Sequence, residues 1–161
     1  MPKPTQPRRL ERGFSLIELL IVVAIIGIIA AIAVPNLLAS RRSANEGSAI
    51  GSVRSINTAE AEYFSTAGMN TNYSQLANLD DYSLLDSVLA GGQKSGYTFG
   101  TPTVTPSAAG TSAQYDVTAT PVSANAITGT GTRGFYSNET AVIYGNPTTA
   151  GTRSSPGTAI Q

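Results

Sequence analysis

One carboxylate stands alone in the most apolar part of this 161-residue sequence. Glu18 is the only charged residue in the 21-residue block Phe14 to Val34, FSLIELLIVVAIIGIIAAIAV. An ionisable group in such surroundings is a functional candidate by default, because burying it without a partner is costly. Gly13 immediately precedes the block and supplies an unbranched, flexible peptide link at its edge. Within the block, Ala24, Gly27, Ala30, Ala31 and Ala33 are small, and Gly27 and Ala31 are four apart. That spacing lets helix backbones approach closely in lipid. Pro35, just past the block, lacks a backbone donor and clashes with the carbonyl four residues earlier, so it weakens a helix there.

Little else in the chain offers reaction chemistry. The sequence has no histidine and no cysteine, which removes the commonest general base, thiol nucleophiles, disulfides and most transition-metal sites. Lys94 is the sole lysine after Lys3, and the serines sit throughout Ser/Thr/Gly-rich loops, so neither phosphate loop nor catalytic constellation emerges. We therefore expect no catalytic residues, no metal, no cofactor and no enzyme. Charged residues make up only 12%, too few for a nucleic-acid partner held by phosphate neutralisation. Asp80, Asp81 and Asp86 lack the spacing of a calcium loop, and an N-cap role for Asp80 or Asp81 fits better.

The elements that position these residues can be read from hydropathy. As a helix, 21 residues rise about 31 Å, close to the thickness of a bilayer's hydrocarbon core. Four basic residues (Lys3, Arg8, Arg9 and Arg12) and one acidic residue (Glu11) precede the block. That bias predicts a cytoplasmic N-terminus, with the remainder of the chain across the membrane. Length and hydropathy alone fit a plain signal-anchor helix. Ala31-Ile32-Ala33 also fits the small-residue cleavage pattern of a secretory signal, although the block is long for one and Glu18 interrupts it.

The junction Arg12-Gly13-Phe14-Ser15-Leu16-Ile17-Glu18 resembles the processing site of type IV prepilins and type II secretion pseudopilins. In that family a short basic leader ends in glycine, a hydrophobic residue begins the mature chain, and glutamate stands fifth. Gly13, Phe14 and Glu18 hold those places, and Pro35 lies where the family often bends its helix. The motif likeness covers about residues 9–38. It implies that residues 1–13 are a leader removed by a membrane prepilin peptidase, which also methylates the Phe14 amine. About 6 Å of helix rise separates Glu18 from a new amino terminus at Phe14, so the two could pair within one chain; the resemblance implies instead that Glu18 pairs with the amino terminus of a neighbouring subunit and sets axial register. The helix between Gly27 and Pro35 would loosen in the assembled filament. Implied partners are further copies of the chain, membrane lipid before assembly, and an inner-membrane platform driven by a cytoplasmic ATPase. The destination would be a cell-surface pilus, or the periplasm for a pseudopilin, which is the alternative reading.

After Pro35 the pattern turns amphipathic: Ala49, Val53, Ile56 and Tyr63 follow helical spacing, and Glu60 shares that stripe as an exception. We expect an α+β fold. A long helix over 14–67, transmembrane over 14–34 and stopped near Gly68, would pack its second half against a small antiparallel sheet. The head would occupy 68–161, with a short helix over Asp81 to Ala90 and about four strands. Tyr97-Thr98-Phe99, Gln114 to Thr120, Arg133 to Ser137 and Thr140 to Tyr144 read as those strands. Ser137-Asn138-Glu139 would join the last two, and Gly145 to Gln161 would be loop or frayed tail.

Overall fold

The computed structural model describes residues 13–100, 103–125, 127–147 and 151–160. The leader before Gly13 lies outside the described residues. The first and longest element is α1, Leu16–Ser65, with Pro35 inside it. By its internal contacts the chain divides into two units, at Asn36 and Leu37.

In the first unit every described residue is exposed. Fifteen large apolar side chains between Phe14 and Leu37 face open space, among them Leu16, Ile21, Ile25, Ile28 and Ile32. α1 is long and apolar enough here to cross a membrane, and none of that stretch is covered by its own chain. Residues of this kind form helix because each backbone polar group is satisfied within the segment, which is what a lipid environment demands. The helix continues through Pro35. The missing donor there leaves the Ala31 carbonyl without its usual bond, and the Asn36 side-chain amide donates to the next carbonyl, that of Ile32, at 3.2 Å.

The second unit is α+β. α1 supplies the stripe Ala49, Val53, Ile56 and Ala59, all essentially inaccessible to solvent. After it come α2 (Leu76–Asp81), α3 (Ser87–Ala90) and six strands: β1 (Gln93–Lys94), β2 (Tyr97–Gly100), β3 (Asp116–Pro121), β4 (Arg133–Asn138), β5 (Ile143–Pro147) and β6 (Thr158–Ile160). The strands follow one another across a single sheet, every neighbouring pair antiparallel. Register sets Phe99 opposite Ala119, Ala119 opposite Phe135 and Phe135 opposite Gly145. The buried side chains Phe99, Ala119 and Phe135 share one core with the α1 stripe, Leu76, Leu79, Leu89, Tyr97, Val117 and Ile143. Burial alternates into β3: Tyr115, Val117 and Ala119 are buried and their neighbours only half-buried.

Several local expectations need correction. The sheet has six strands rather than about four. The two additions are very short: β1 has two residues and β6 has three, and neither has a hydrophobic period of its own. The segment after Gly145 is partly sheet, because β5 runs to Pro147 and β6 pairs Ile160 with Ile143. The single helix expected over Asp81 to Ala90 is two, separated by a turn in which Ser83 takes a positive φ of 57°. Asp86, not Asp80 or Asp81, is the N-cap, accepting from the Leu89 N–H at 3.0 Å. At the end of α1 the left-handed conformation falls on Met69 and Asn70 (φ 51° and 59°), beginning one residue beyond the expected Gly68. Gly68 instead makes room for the returning chain, since a Cβ there would run into the Asn72 carbonyl. The turn between β4 and β5 sits over Glu139 and Thr140, because Ser137 and Asn138, expected in the turn, belong to β4.

Candidate functional site

The N-terminal residues singled out by chemistry lie at the start of α1. Gly13, Phe14 and Ser15 precede the helix, so the Gly13–Phe14 peptide bond is outside regular structure, and Phe14 is 76% exposed. A Cβ built on Gly13 would meet nothing within 4 Å. Among the described residues, nothing crowds glycine at this position.

Glu18 occupies the first turn of α1, and its Oε2 accepts the Ser15 backbone N–H at 3.1 Å. Ser15 stands just before the helix and Glu18 is its third residue, so Ser15-Leu16-Ile17-Glu18 has the S-x-x-E form of a capping box. The structure contains its reciprocal half, the glutamate reaching back to an orphan donor. Sequence reasoning missed this local partner, although the S-x-x-E spacing was there to read. The same carboxylate also favours the helix start by facing the positive end of the macrodipole. Phe14 nitrogen remains a peptide nitrogen in the unprocessed chain. An ammonium would appear there only on cleavage, within reach of the turn that already holds Glu18.

Gly27 lies about 13 Å further along α1 and Pro35 about 12 Å beyond that, so neither belongs to the same cluster as Glu18. A Cβ on Gly27 would also meet nothing within 4 Å. Ala24, Gly27 and Ala31 fall within about 60° of one another around the helix and form a narrow small-residue face. Among the described residues that face is uncovered.

The second unit holds a separate polar set between α1 and the sheet. Glu46 accepts from the Thr132 N–H at 2.9 Å and Thr132 hydroxyl at 2.7 Å, and from Arg133 Nε at 2.9 Å. Burial raises the Glu46 pKa, but these donors and the Arg133 charge outweigh it and hold the group below the ordinary carboxylate value. Asn57 accepts from the Tyr115 hydroxyl at 3.0 Å and donates to Ser137 Oγ at 2.9 Å. Glu60 is fully buried; its Oε2 accepts the Ser74 N–H at 2.9 Å, and its Oε1 has no partner. Burial pushes its pKa up to about 7, and the one Ser74 bond opposes this only in part. Near Glu60 stand the phenols of Tyr63, Tyr73 and Tyr115, all neutral at that pH. These side chains fasten loops to α1; no nucleophile is paired with a base among them. Asp86, weighed above for calcium, is engaged with Lys94 at 2.9 Å.

Known proteins resemble parts of this chain. Residues 8–34 match the family described as the prokaryotic N-terminal methylation motif. The type IV major pilin protein PilA of Myxococcus xanthus is 45% identical over 68 residues, 42% of this chain and 30% of that protein. The type IV wide pilus major component PilA4 of Thermus thermophilus is 63% identical over 38 residues, 24% of this chain and 29% of that protein. The type II secretion system core protein G of Pectobacterium carotovorum is 35% identical over 49 residues, covering 30% of this chain and 31% of that protein. The aligned stretch thus spans about a third of the length of each of these curated relatives. No solved structure matches the chain.

Proposed function

We infer that this chain, a member of the type IV pilin and type II secretion pseudopilin family by its N-terminal segment, is the structural subunit of a pilus-like filament. The observation that carries the reading is the stretch 14–37: fifteen large apolar side chains with no cover among the described residues, entered through a glycine–phenylalanine bond outside regular structure. The precursor inserts with its basic leader, residues 1–13, in the cytoplasm. Prepilin peptidase cuts after Gly13, and the Phe14 amine is methylated. Cleavage removes all four leader cations, each of which would cost ~2.5–3.5 kcal/mol near the centre of an apolar layer.

Assembly then exchanges lipid for neighbouring helices. Each large side chain kept from water is worth about 1.5–3 kcal/mol, which makes the helix core the cohesive part of the filament. Apolar packing is poorly directional, so register needs a polar device. Glu18 supplies it: on docking, its carboxylate exchanges the Ser15 N–H for the Phe14 ammonium of a neighbour. A buried ion pair adds little net stability and is best suited to specifying register. The Ala24–Gly27–Ala31 face lets backbones approach, and the Gly27–Pro35 stretch is where the helix yields. Extraction from the bilayer draws on an inner-membrane platform and its ATPase, since this chain offers no nucleotide site among its described residues. The head plays no catalytic part.

N-terminal sequencing and intact mass of the protein recovered from cells test this. A start at Phe14 with one added methyl group is the expected result. A start at Val34 would replace it with a secretory-signal reading. Similarity to core protein G keeps a second reading in view, a pseudopilin of a type II secretion system. Surface fibres composed of this chain favour the pilin, whereas loss of secretion without surface fibres in a deletion strain favours the pseudopilin.

A further inference from the structure

A cavity of the second unit has no part in the function above. It holds about 130 Å³ between α1 and the loop joining β3 to β4. Leu38, Arg41 and Asn45 line it from the helix, and Thr128, Gly129 and Thr130 from the loop. The volume is close to that of an engineered cavity of about 150 Å³ that takes up benzene. The loop is fastened by its own bonds. Asn125 Oδ1 accepts the Ile127 and Thr128 N–H groups at 2.8 and 3.2 Å, and the Asn125 carbonyl accepts the Gly129 N–H at 2.9 Å. The Thr130 N–H donates to the Ser123 carbonyl at 2.9 Å. Asn45 Nδ2 donates to the Thr130 carbonyl at 2.9 Å and ties the loop to α1. The backbone donors from Ile127 to Thr130 are thus engaged within the loop. Side-chain donors remain for a guest: the Arg41 guanidinium, the Thr128 hydroxyl and the second Asn45 amide proton, none with an acceptor among the described residues.

Donors of this kind suit an oxyanion. Arg41 brings a permanent charge and several N–H groups. Among the described residues no carboxylate lines the cavity. Glu46, next to Asn45 in the chain, is already held by Arg133 and Thr132. The adjacent Arg42 has its Nη1 buried without an acceptor among the described residues, so positive charge at this end of the second unit is under-compensated. We propose that the cavity binds a phosphate group, gripped by Arg41, with Thr128 and Asn45 donating to its remaining oxygens. A lipid headgroup and free inorganic phosphate both offer that chemistry. The surroundings favour the headgroup. Arg41 comes seven residues after Val34, which ends the apolar block. Leu37 and Ile127, chain neighbours of the lining residues Leu38 and Thr128, are 69% and 70% exposed. Apolar side chains beside an arginine match the boundary between acyl chains and headgroups. This source rests on the membrane-inserted precursor described above, whose head the bound lipid would keep at the bilayer until extraction.

Amide chemical shifts of the full chain, isotope-labelled in nonionic detergent micelles, test the site with two probes. Phosphatidylglycerol mixed into the micelles should give saturable shifts at Asn45 and residues 128–130. Inorganic phosphate up to about 10 mM should give less than about a third of them, as a weak free ligand does. The reverse order would keep the phosphate site and assign it to the free ion. Arg41→Gln should raise the half-saturation point at least about tenfold, because a charge-assisted bond is lost. Thr128→Val, which removes a neutral donor, should raise it about threefold. Arg54→Gln removes an equal charge from an exposed position of α1 outside the cavity and should change it by less than about twofold. Unaltered shifts across β2 to β4 show that each variant keeps its fold. Equal weakening by the two arginine substitutions would reduce the effect to surface charge and overturn the proposal. Absence of saturable shifts with both probes overturns it too. The proposed function fails separately. A chain that assembles into filaments and gives no such shifts loses this site alone. A start at Val34 in cells removes the membrane reading and the headgroup source, and the cavity then stands or falls on the inorganic phosphate arm.

Discussion

Two glutamates carry most of what is unusual at the residue scale, and their environments set them apart. Glu18 is exposed at the start of α1 and held by the Ser15 N–H. Glu18→Ala should insert and lose its leader normally, yet give filament yields reduced at least tenfold, measured by shearing and gel densitometry. Its local bond is worth about 1 kcal/mol to the helix start, too little to explain such a loss by fraying alone. Glu18→Gln separates the two roles, because its amide oxygen can still accept from Ser15 while the charge for the Phe14 ammonium is gone. Full yield from the glutamine variant would remove the ion pair from the mechanism.

Glu60 has the opposite setting, buried with one oxygen unpartnered. Its pKa rises from 4.5 to about 7 on folding. Below pH 4.5 both folded and unfolded chains hold the proton, and the group costs nothing. Between 4.5 and 7 the unfolded chain ionises first, so stability falls as pH rises, and above 7 the loss levels off at about 3 kcal/mol. Glu60→Gln should therefore stabilise the second unit at about pH 8 by up to that amount and change little at about pH 4, as read from urea unfolding. A gain equal at both pH values would show that ionisation is not the cause. Glu46 has the reverse sign: its lowered pKa contributes stability above the ordinary carboxylate range and loses it on acidification.

At the element scale, the last strand combines one partly buried apolar contact, Ile160 against the core, with charges on the segment before it. β6 has three residues, none of them fully buried. The segment leading to it is held by Arg153, which reaches Asp116, Glu139 and the Tyr115 carbonyl together. Arg153→Ala should release β6, raising hydrogen exchange at Thr158 to Ile160 by at least tenfold while β2 to β4 stay protected. Equal exchange in the two proteins would mean that the strand pairing suffices alone. The central strands depend on close packing. Gly131 lies against the Tyr97 ring, where any Cβ would collide with the phenol, whose hydroxyl donates to the Arg133 carbonyl at 2.8 Å. Gly131→Ala should cost about 1–3 kcal/mol, measured by thermal unfolding, because overpacking displaces a buried ring.

At the scale of the whole molecule, the two units place unlike demands on solvent. The core of the second is complete in itself, running from Ala49 on α1 to Ile143 on β5. A fragment of residues 37–161 should stay soluble and monomeric without detergent and melt cooperatively. The chain from Phe14 should require detergent or assemble. Sedimentation of the two forms decides this, and aggregation of the fragment would show that the head needs the apolar segment for folding.

Periodicity carries far where one energetic term dominates. An apolar run of membrane length can hardly be anything but helix, and the stripe Ala49, Val53, Ile56 with β3 alternation led directly to helix against sheet. The lone Glu18, the accessible Gly13 and the family likeness were legible because charge and hydropathy contrast sharply over a few residues. The parts that only the tertiary structure decided depend on contacts between residues distant in sequence. β6 pairs with β5, setting Ile160 opposite Ile143, and nothing in Thr158 to Ile160 signals it. Asp86 rather than Asp80 or Asp81 caps a helix because the Ser83 turn breaks the run. Glu60 is buried because residues 66–75 fold back to bring the Ser74 N–H onto it. Sequence determined which segments seek lipid and which seek a core; the tertiary structure decided which polar groups meet, since hydrogen bonds act over a few ångströms and chain separation does not reveal them.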